Sequence, residues 1–254
     1  MALELVTVPC LKDNFAFLLH DAATGTTALV DAPEAAPIQA ALTARGWRLD
    51  LILLTHHHDD HIQAVPQLRA GGAQVWGAAA DAHRLPPLDR ALRPGDAVPL
   101  GAEVGSVIDV PGHTRGHIAF HFPASGLVLT GDSLIAAGCG RLFEGTAEEM
   151  WGSLQRLAAL PPDTRVCSGH DYLTGNLRFA ASLEPGNPRL ISRMKSLEEM
   201  RREGRLPMPS LLSEELATNP FLRAPLPAMK AAVGMQGAPD ADVFAEIRAR
   251  KDRF

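Results

Sequence analysis

One stretch constrains this chain more than any other. Leu49 to Thr55 reads LDLILLT, a continuous apolar run of the kind that forms a strand buried on both faces. It runs directly into THHHDDH, Thr55 to His61, where imidazoles and carboxylates crowd into six consecutive positions. These groups repel one another and resist burial unless something uses them. Together they are the ligand types that zinc and other borderline divalent metals prefer. The fold must therefore carry a buried strand whose end opens on a cluster of metal-binding side chains, with a helix predicted from about Ile62.

The rest of the chain supports an α/β arrangement. Thr27–Asp31, Gln74–Trp76, Val104–Val110, His117–Phe122, Gly126–Thr130 and Arg165–Ser168 read as further short strands. Pro37–Arg45 is predicted to be a helix closed by Gly46. Thr146–Leu160 opens with the capping pair Thr146 and Glu149 and stops at Pro161-Pro162. After about Tyr172 the pattern becomes helical: Asn187-Pro188 is a cap with proline at the first helical position, and its helix runs to Glu203. Ser210–Leu216 and Asp240–Lys251 are predicted to be helices too. The expected division is an α/β domain over residues 1–172 and a helical C-terminal domain over residues 173–254. At 254 residues, with 46% apolar and 21% charged side chains, the chain has the composition of a globular protein with a sizeable core.

Bulk properties narrow the partners. A formal charge of −5 lacks the basic footprint of a nucleic-acid-binding protein. No apolar stretch approaches the ~20 residues a membrane helix needs, and the first ten residues lack a secretory pattern. Cys10, Cys139 and Cys167 are odd in number and show no CxxC spacing, which fits unpaired thiols in a reducing compartment. The expectation is a cytoplasmic monomer that engages neither nucleic acid nor membrane.

THHHDDH contains the pattern His-x-His-x-Asp-His at His56, His58, Asp60 and His61, the signature of the metallo-β-lactamase superfamily. The chain resembles that superfamily at three later points: PGHTRGH supplies His113, LTGDSL supplies Asp132 and CSGHDY supplies His170. Each follows a glycine near the end of an apolar run, where a loop can approach a metal closely. The resemblance implies an αββα four-layer sandwich of two mixed sheets, with the metals at one edge and a C-terminal helical domain over part of that edge. It also implies two divalent ions, zinc by default, with iron and manganese compatible. His56, His58 and His113 would hold one ion, Asp60, His61 and His170 the other, and Asp132 would bridge them; Asp60 and Asp132 are the acidic members expected to serve catalysis. Two such ions acidify a shared water from a pKa of 15.7 to roughly 7, which makes a hydroxide nucleophile at neutral pH. Among the other histidines, His57 occupies an x position and is expected to point away. His117 is expected to be a hydrogen-bonding support, and Asp31 a candidate to orient a ligand imidazole.

A narrower resemblance rests on GCGRLFEGT from Gly138, GHDYLTGNLRFA from Gly169, NPFLR from Asn219 and RARKDRF from Arg248. These look like glyoxalase II, the hydroxyacylglutathione hydrolases, from near Asp13-Asn14-Phe15 to Phe254. Carried over, that family's glutathione contacts fall on Arg141, Phe143, Tyr172, Arg248 and Lys251. Arg and Lys suit the two carboxylates of glutathione. Some family members carry Tyr where this chain has Phe143, a lost hydroxyl. The activity implied is hydrolysis of S-D-lactoylglutathione to D-lactate and glutathione. A thiolate leaves without a proton donor, since thiols ionise near ~8.5, and no dedicated general acid stands out beyond the seven ligands. Three alternatives remain at this point: a glutathione persulfide dioxygenase with a single iron, another hydrolase of the same fold, and a metal-stabilised binding protein without catalysis.

Overall fold

A computed structural model describes residues 2–254. Two six-stranded sheets pack face to face. The first contains, in spatial order, β1 (Glu4–Cys10), β2 (Asn14–Asp21), β3 (Thr26–Val30), β4 (Leu51–Leu53), β5 (Gln74–Ala78) and β6 (Arg90–Leu92). Its first three strands are antiparallel and its last three run parallel to β3. The second runs β14 (Ser210–Leu211), β13 (Arg165–Ser168), β10 (Leu127–Gly131), β9 (Ile118–Phe122), β8 (Glu103–Asp109), β7 (Ala97–Leu100). Only β10 and β13 pair in parallel there. A two-stranded ribbon, β11 (Leu134–Ile135) with β12 (Gly138–Cys139), follows β10.

The period of two along each strand decides which layer a side chain joins. Ala28, Val30, Leu51 and Leu53 meet Val107, Phe120, Leu127 and Leu129 of the opposite sheet in the central core. Their alternate neighbours Leu29, Ile52 and Val75 face outward onto Ile38 and Leu42 of α1 (Ala35–Arg45) and onto Leu68. On the far side Ala119, Val128 and Val166 face Met150, Leu154 and Leu157 of α4 (Ala147–Ala158). Both faces of each sheet are covered, which is why LDLILLT and its like are apolar without alternation. The architecture is the αββα sandwich.

The predicted boundaries mostly hold, with physical reasons where they shift. Gly46 closes α1 in the left-handed region at φ 66°, and Thr146 and Glu149 form the reciprocal capping box of α4. Asn187 caps α6 (Pro188–Arg202). The strand read over Leu49–Thr55 pairs only over Leu51–Leu53, because its ends peel off into loops. The helix expected from Ile62 begins earlier: a single turn, α2 (Asp59–Ile62), forms inside the motif, and α3 (Val65–Arg69) follows. The β1–β2 hairpin was not legible, since β2 is buried throughout and its three-residue connection lacks a turn glycine.

The C-terminal helices are α5 (Leu173–Leu183), α6, α7 (Leu212–Thr218), α8 (Pro227–Ala232) and α9 (Asp240–Arg253). They do not stand apart as a separate globule. Phe221, Phe244 and Ile247 share one core with α4 and the outer face of the second sheet, while Leu173, Leu177 and Leu190 join the central core.

Candidate metal centre

Seven side chains named in the sequence converge at one end of the sandwich, where four chain segments leave the sheets. His56, His58, Asp60 and His61 follow β4; His113 follows β8; Asp132 follows β10; His170 follows β13. The ligand atoms of His56, His58 and His113 lie within 4.8 Å of one another, and so do those of Asp60, His61 and His170. A third overlapping trio, His56, His61 and Asp132, links the two. His58 Nδ1 stands 3.1 Å from His56 Nε2 and 3.0 Å from His113 Nε2. His61 Nε2 and His170 Nε2 are 3.3 Å apart. Asp132 lies between the groups, with Oδ2 3.4 Å from His113 Nε2 and 3.3 Å from His170 Nε2.

The backbone explains this convergence. Gly131 ends β10 at φ 48°, and a Cβ there would stand 2.5 Å from Thr55 Oγ1. Only glycine lets the Asp132 loop pass the His56 loop so closely. Gly140 faces the same limit, because its Cβ would meet the Asp132 carbonyl oxygen at 2.0 Å.

Four of the five imidazoles are held from behind, which leaves one nitrogen of each aimed at the centre. His61 Nδ1–H donates to Asp31 Oδ2 at 2.8 Å, His170 Nδ1–H to Asp13 Oδ1 at 3.0 Å, and His113 Nδ1–H to the Arg141 carbonyl at 2.8 Å. His56 Nδ1–H donates to Thr55 Oγ1, whose own proton goes to Asp31 Oδ2. Asp31 thus supports two histidines while holding the Thr55 amide. It does so from the left-handed region at φ 57°, a conformation Asp tolerates better than most residues. Asn14 Nδ2 donates to both the carbonyl and the carboxylate of Asp60.

The electrostatics suit cation binding. Burial pushes His56 well below its ordinary value, and burial together with neighbouring imidazoles lowers His58 and His113, which keeps them neutral donors. Burial would lower His170, but Asp132, Asp60 and Asp13 outweigh it and lift the group to about 11. Burial would raise Asp132; His61 and His170 instead hold it well below the usual carboxylate range. Its Oδ1 is buried without a hydrogen-bond partner, an anionic oxygen lacking the cation or donor such an atom requires. Ligands about 2.0–2.1 Å from one tetrahedral zinc stand about 3.3 Å apart, close to the nitrogen spacings seen. The donor set fits divalent metal.

The remaining histidines separate clearly. His57 turns away from the cluster, towards Asp81 and Glu144. His117 is fully buried; its Nε2 accepts the Asp132 amide at 3.1 Å, and burial brings it down to about 3. It is the hydrogen-bonding support expected.

A groove of about 700 Å³ opens from the cluster. His58, Asp60, His113, Asp132 and His170 form its inner end, and all five expected glutathione contacts line it. Phe143 is 62% exposed and stands over the rings of His58 and His113. Tyr172 stacks on His170 with centroids 4.7 Å apart. Arg141 is exposed, and Lys251 is half-buried with Nζ donating to the Gly175 carbonyl. Arg248 differs: only 5% exposed, it is committed to the Cys139 carbonyl and to Asp252, and it lies over the Phe221 ring. Sequence reasoning had not singled out Asp13 or Asn14 as site residues, nor Phe254, which is exposed at the groove's outer end. The only sign was that Asp13-Asn14-Phe15 begins the resemblance.

This fold with a His/Asp cluster at the strand ends is that of the metallo-β-lactamase superfamily, whose family model matches residues 14–170. Solved structures of that fold superpose: the BLEG-1 B3 metallo-β-lactamase at TM-score 0.67 and 21% identity, covering 86% of this chain and 99% of its own. ETHE1 from Myxococcus xanthus aligns at TM-score 0.58 and 28% identity, over 88% of this chain and 98% of its own. TTHA1623 in a di-iron-bound form aligns at TM-score 0.56 and 30% identity, over 66% and 92%. The model of the hydroxyacylglutathione hydrolase C-terminus matches residues 171–254. The hydroxyacylglutathione hydrolase of Fuscovulum blasticum is 77% identical over the full length of both chains, and that of a Jannaschia species is 61% identical over 99% of this chain and 98% of its own. The chain belongs to the hydroxyacylglutathione hydrolase family.

Proposed function

We propose that this chain hydrolyses 2-hydroxyacylglutathione thioesters, S-D-lactoylglutathione foremost, to D-lactate and glutathione, the hydrolytic step of methylglyoxal detoxification. Full-length identity of 77% to a hydroxyacylglutathione hydrolase carries the reading. It is supported by a groove that joins a metal-binding cluster to cationic side chains.

In this reading two divalent ions are bound per chain, zinc by default, with iron or manganese compatible with the same donors. His56, His58 and His113 serve one ion, Asp60, His61 and His170 the other, and Asp132 both. The count is supported by three overlapping ligand trios rather than one, and a relative at 30% identity is described in a di-iron-bound form. Ions held there supply Lewis acidity, polarising the thioester carbonyl and acidifying water to near neutrality.

The chain's own residues do the rest. Asp31, Asp13 and the Arg141 carbonyl hold the imidazoles in the tautomer that offers the inner nitrogen. His117 fixes the Asp132 loop through its amide. Arg141 and Lys251 pair with the glutathione carboxylates. Tyr172 presents its hydroxyl to the peptide, and Phe143 covers the acyl end with its ring. Arg248 shapes the groove wall from behind. No side chain need protonate the departing thiolate, since thiols ionise near ~8.5. The catalytic domain spans residues 1–172 and the helical substrate-binding domain 173–254, a division supported by the two family matches meeting at residue 170. Three free cysteines suit a cytoplasmic protein, and among the described residues no helix is long and apolar enough to cross a membrane. We take the chain to act as a monomer, without nucleic acid.

The test follows loss of thioester absorbance with S-D-lactoylglutathione beside a non-glutathione thioester, with oxygen uptake and bound metal measured on the same sample. Fast turnover of the glutathione thioester with about two metals per chain is expected. Absence of hydrolysis, with one iron and oxygen uptake on glutathione persulfide, would replace the reading with the dioxygenase.

A further inference from the structure

The Gly140–Phe143 segment serves both halves of the site. Its Arg141 carbonyl holds His113, its Arg141 and Phe143 side chains line the groove, and the Phe143 ring covers His58 and His113. It is loop, with no ladder of its own beyond β12. Backbone bonds pin its two ends, from the Gly140 N–H to the Ser133 carbonyl and from the Gly145 N–H to the Gly112 carbonyl; the side-chain ties come from the next residue. Glu144 accepts from both terminal nitrogens of Arg84, the Nη2 bond at 3.1 Å. It also accepts the Arg115 amide at 2.9 Å, within the same loop as His113. Arg84 is itself gripped by Asp81, 2% exposed, through Oδ1 at 2.5 Å. The other oxygen of Asp81 lies 3.2 Å from His57 Nδ1, and Glu144 lies 3.6 Å from His57 Nε2. The cluster therefore ties three loops together: the His56–His61 motif, the His113 loop and the groove segment. Of its members His57 abuts a candidate ligand, edge-on to the His58 ring with centroids 4.9 Å apart; Glu144, Arg84 and Asp81 stand behind it.

We propose that Glu144, clamped by Arg84 and Asp81, is a positioning residue that presses the Gly140–Phe143 segment onto His113, and so governs both metal retention and the seat of the thioester. The proposal rests on the hydrolase reading for its substrate half and on geometry alone for its metal half. A bidentate Arg–carboxylate pair fixes direction as well as distance, so it can register a loop that lacks sheet pairing. Groups that orient a ligand imidazole typically change metal affinity 10–100-fold when removed; Glu144 acts one step behind the Arg141 carbonyl.

The experiment compares metal-loaded wild type, Glu144→Gln, Arg84→Met and the double variant. The rate of metal loss to a chelator, KM and kcat on S-D-lactoylglutathione, and thermal midpoint are measured for each. Each single change is expected to speed metal loss and raise KM, each about tenfold, while kcat at full metal occupancy changes less than about twofold, as uniform binding is lost. The double variant is expected to fall well short of the product of the two single effects, since both lose the shared Arg84–Glu144 pair while Arg84→Met alone also loses the bond to Asp81. Arg84→Lys, which keeps the charge without the fork, falls between and guards against a variant that does not fold. A lowered midpoint with unchanged metal loss and KM would reduce the cluster to a structural tie and overturn the proposal, as would effects that multiply in the double variant. If wild type shows no thioester turnover, the hydrolase reading fails while the metal-loss comparison still judges the clamp.

Discussion

The metal cluster and the groove that leaves it are built on different principles. The imidazoles of the cluster are buried or half-buried, four of them, His56, His61, His113 and His170, are fixed from behind by Thr55, Asp31, a carbonyl or Asp13, and glycines force the loops together. The groove is half open and made from a loop and the C-terminal helices. Its cations are unequal: Arg141 and Lys251 reach the opening, while Arg248 is buried and already paired. Metal chemistry tolerates little positional error, so its residues are over-determined. Binding a flexible peptide thioester tolerates more, and its residues double as packing.

That contrast can be broken by substitution. The largest effect is expected at Asp132→Ala, which should remove metal and turnover together, by more than about 10³-fold in kcat/KM, since a ligand and its Lewis-acid chemistry are lost at once. Full activity with full metal content would refute its place between the two groups. Asp31→Asn keeps a residue suited to φ 57° but weakens the support of His61 and, through Thr55, of His56. Metal affinity should fall about 10–100-fold, read by competition with a chelator. An unchanged affinity would mean the cluster is less over-determined than its hydrogen bonds indicate.

In the groove, Arg248→Ala and Lys251→Ala should part company. Arg248→Ala leaves the Cys139 carbonyl without its donor and should lower stability by about 2 kcal/mol, read by denaturant unfolding. Lys251→Ala should leave stability nearly unchanged and raise KM about fivefold, the worth of one partly exposed ion pair. The reverse pattern would make Arg248 the free cation.

The smallest effect concerns acid. The Arg84 guanidinium, bonded to Glu144, holds that carboxyl down at about 2 from an ordinary 4.5. A depressed folded value contributes stability that is present above 4.5 and lost as pH falls towards 2. Wild type should therefore lose its stability advantage over Glu144→Gln across that window; a difference between them that does not vary with pH would contradict the assigned pair.

His56, His58, Asp60, His61, His113, Asp132 and His170 were legible as candidate ligands at strand ends and beside glycines, while the sandwich fold and their convergence were what the resemblance to the metallo-β-lactamase superfamily implied. The apolar strand into THHHDDH, the capping box at Thr146 and the Asn187-Pro188 cap are short-range patterns whose physics acts within a few residues. What the sequence could not disclose were distances between segments far apart in the chain. Asp13 meets His170 across 157 positions, and Glu144 meets Arg84 across 60. An isolated Asp13 or Glu144 looks like any solvated acid. Likewise RARKDRF by itself presents Arg248 and Lys251 as equivalent cations; α9 packs so that one is buried against Phe221 and Cys139 and the other is left at the rim. Local chemistry thus determined which atoms can bind metal. Tertiary packing decided which partners orient them and which charges stay free, because burial and hydrogen-bond pairing exist only once the layers have closed.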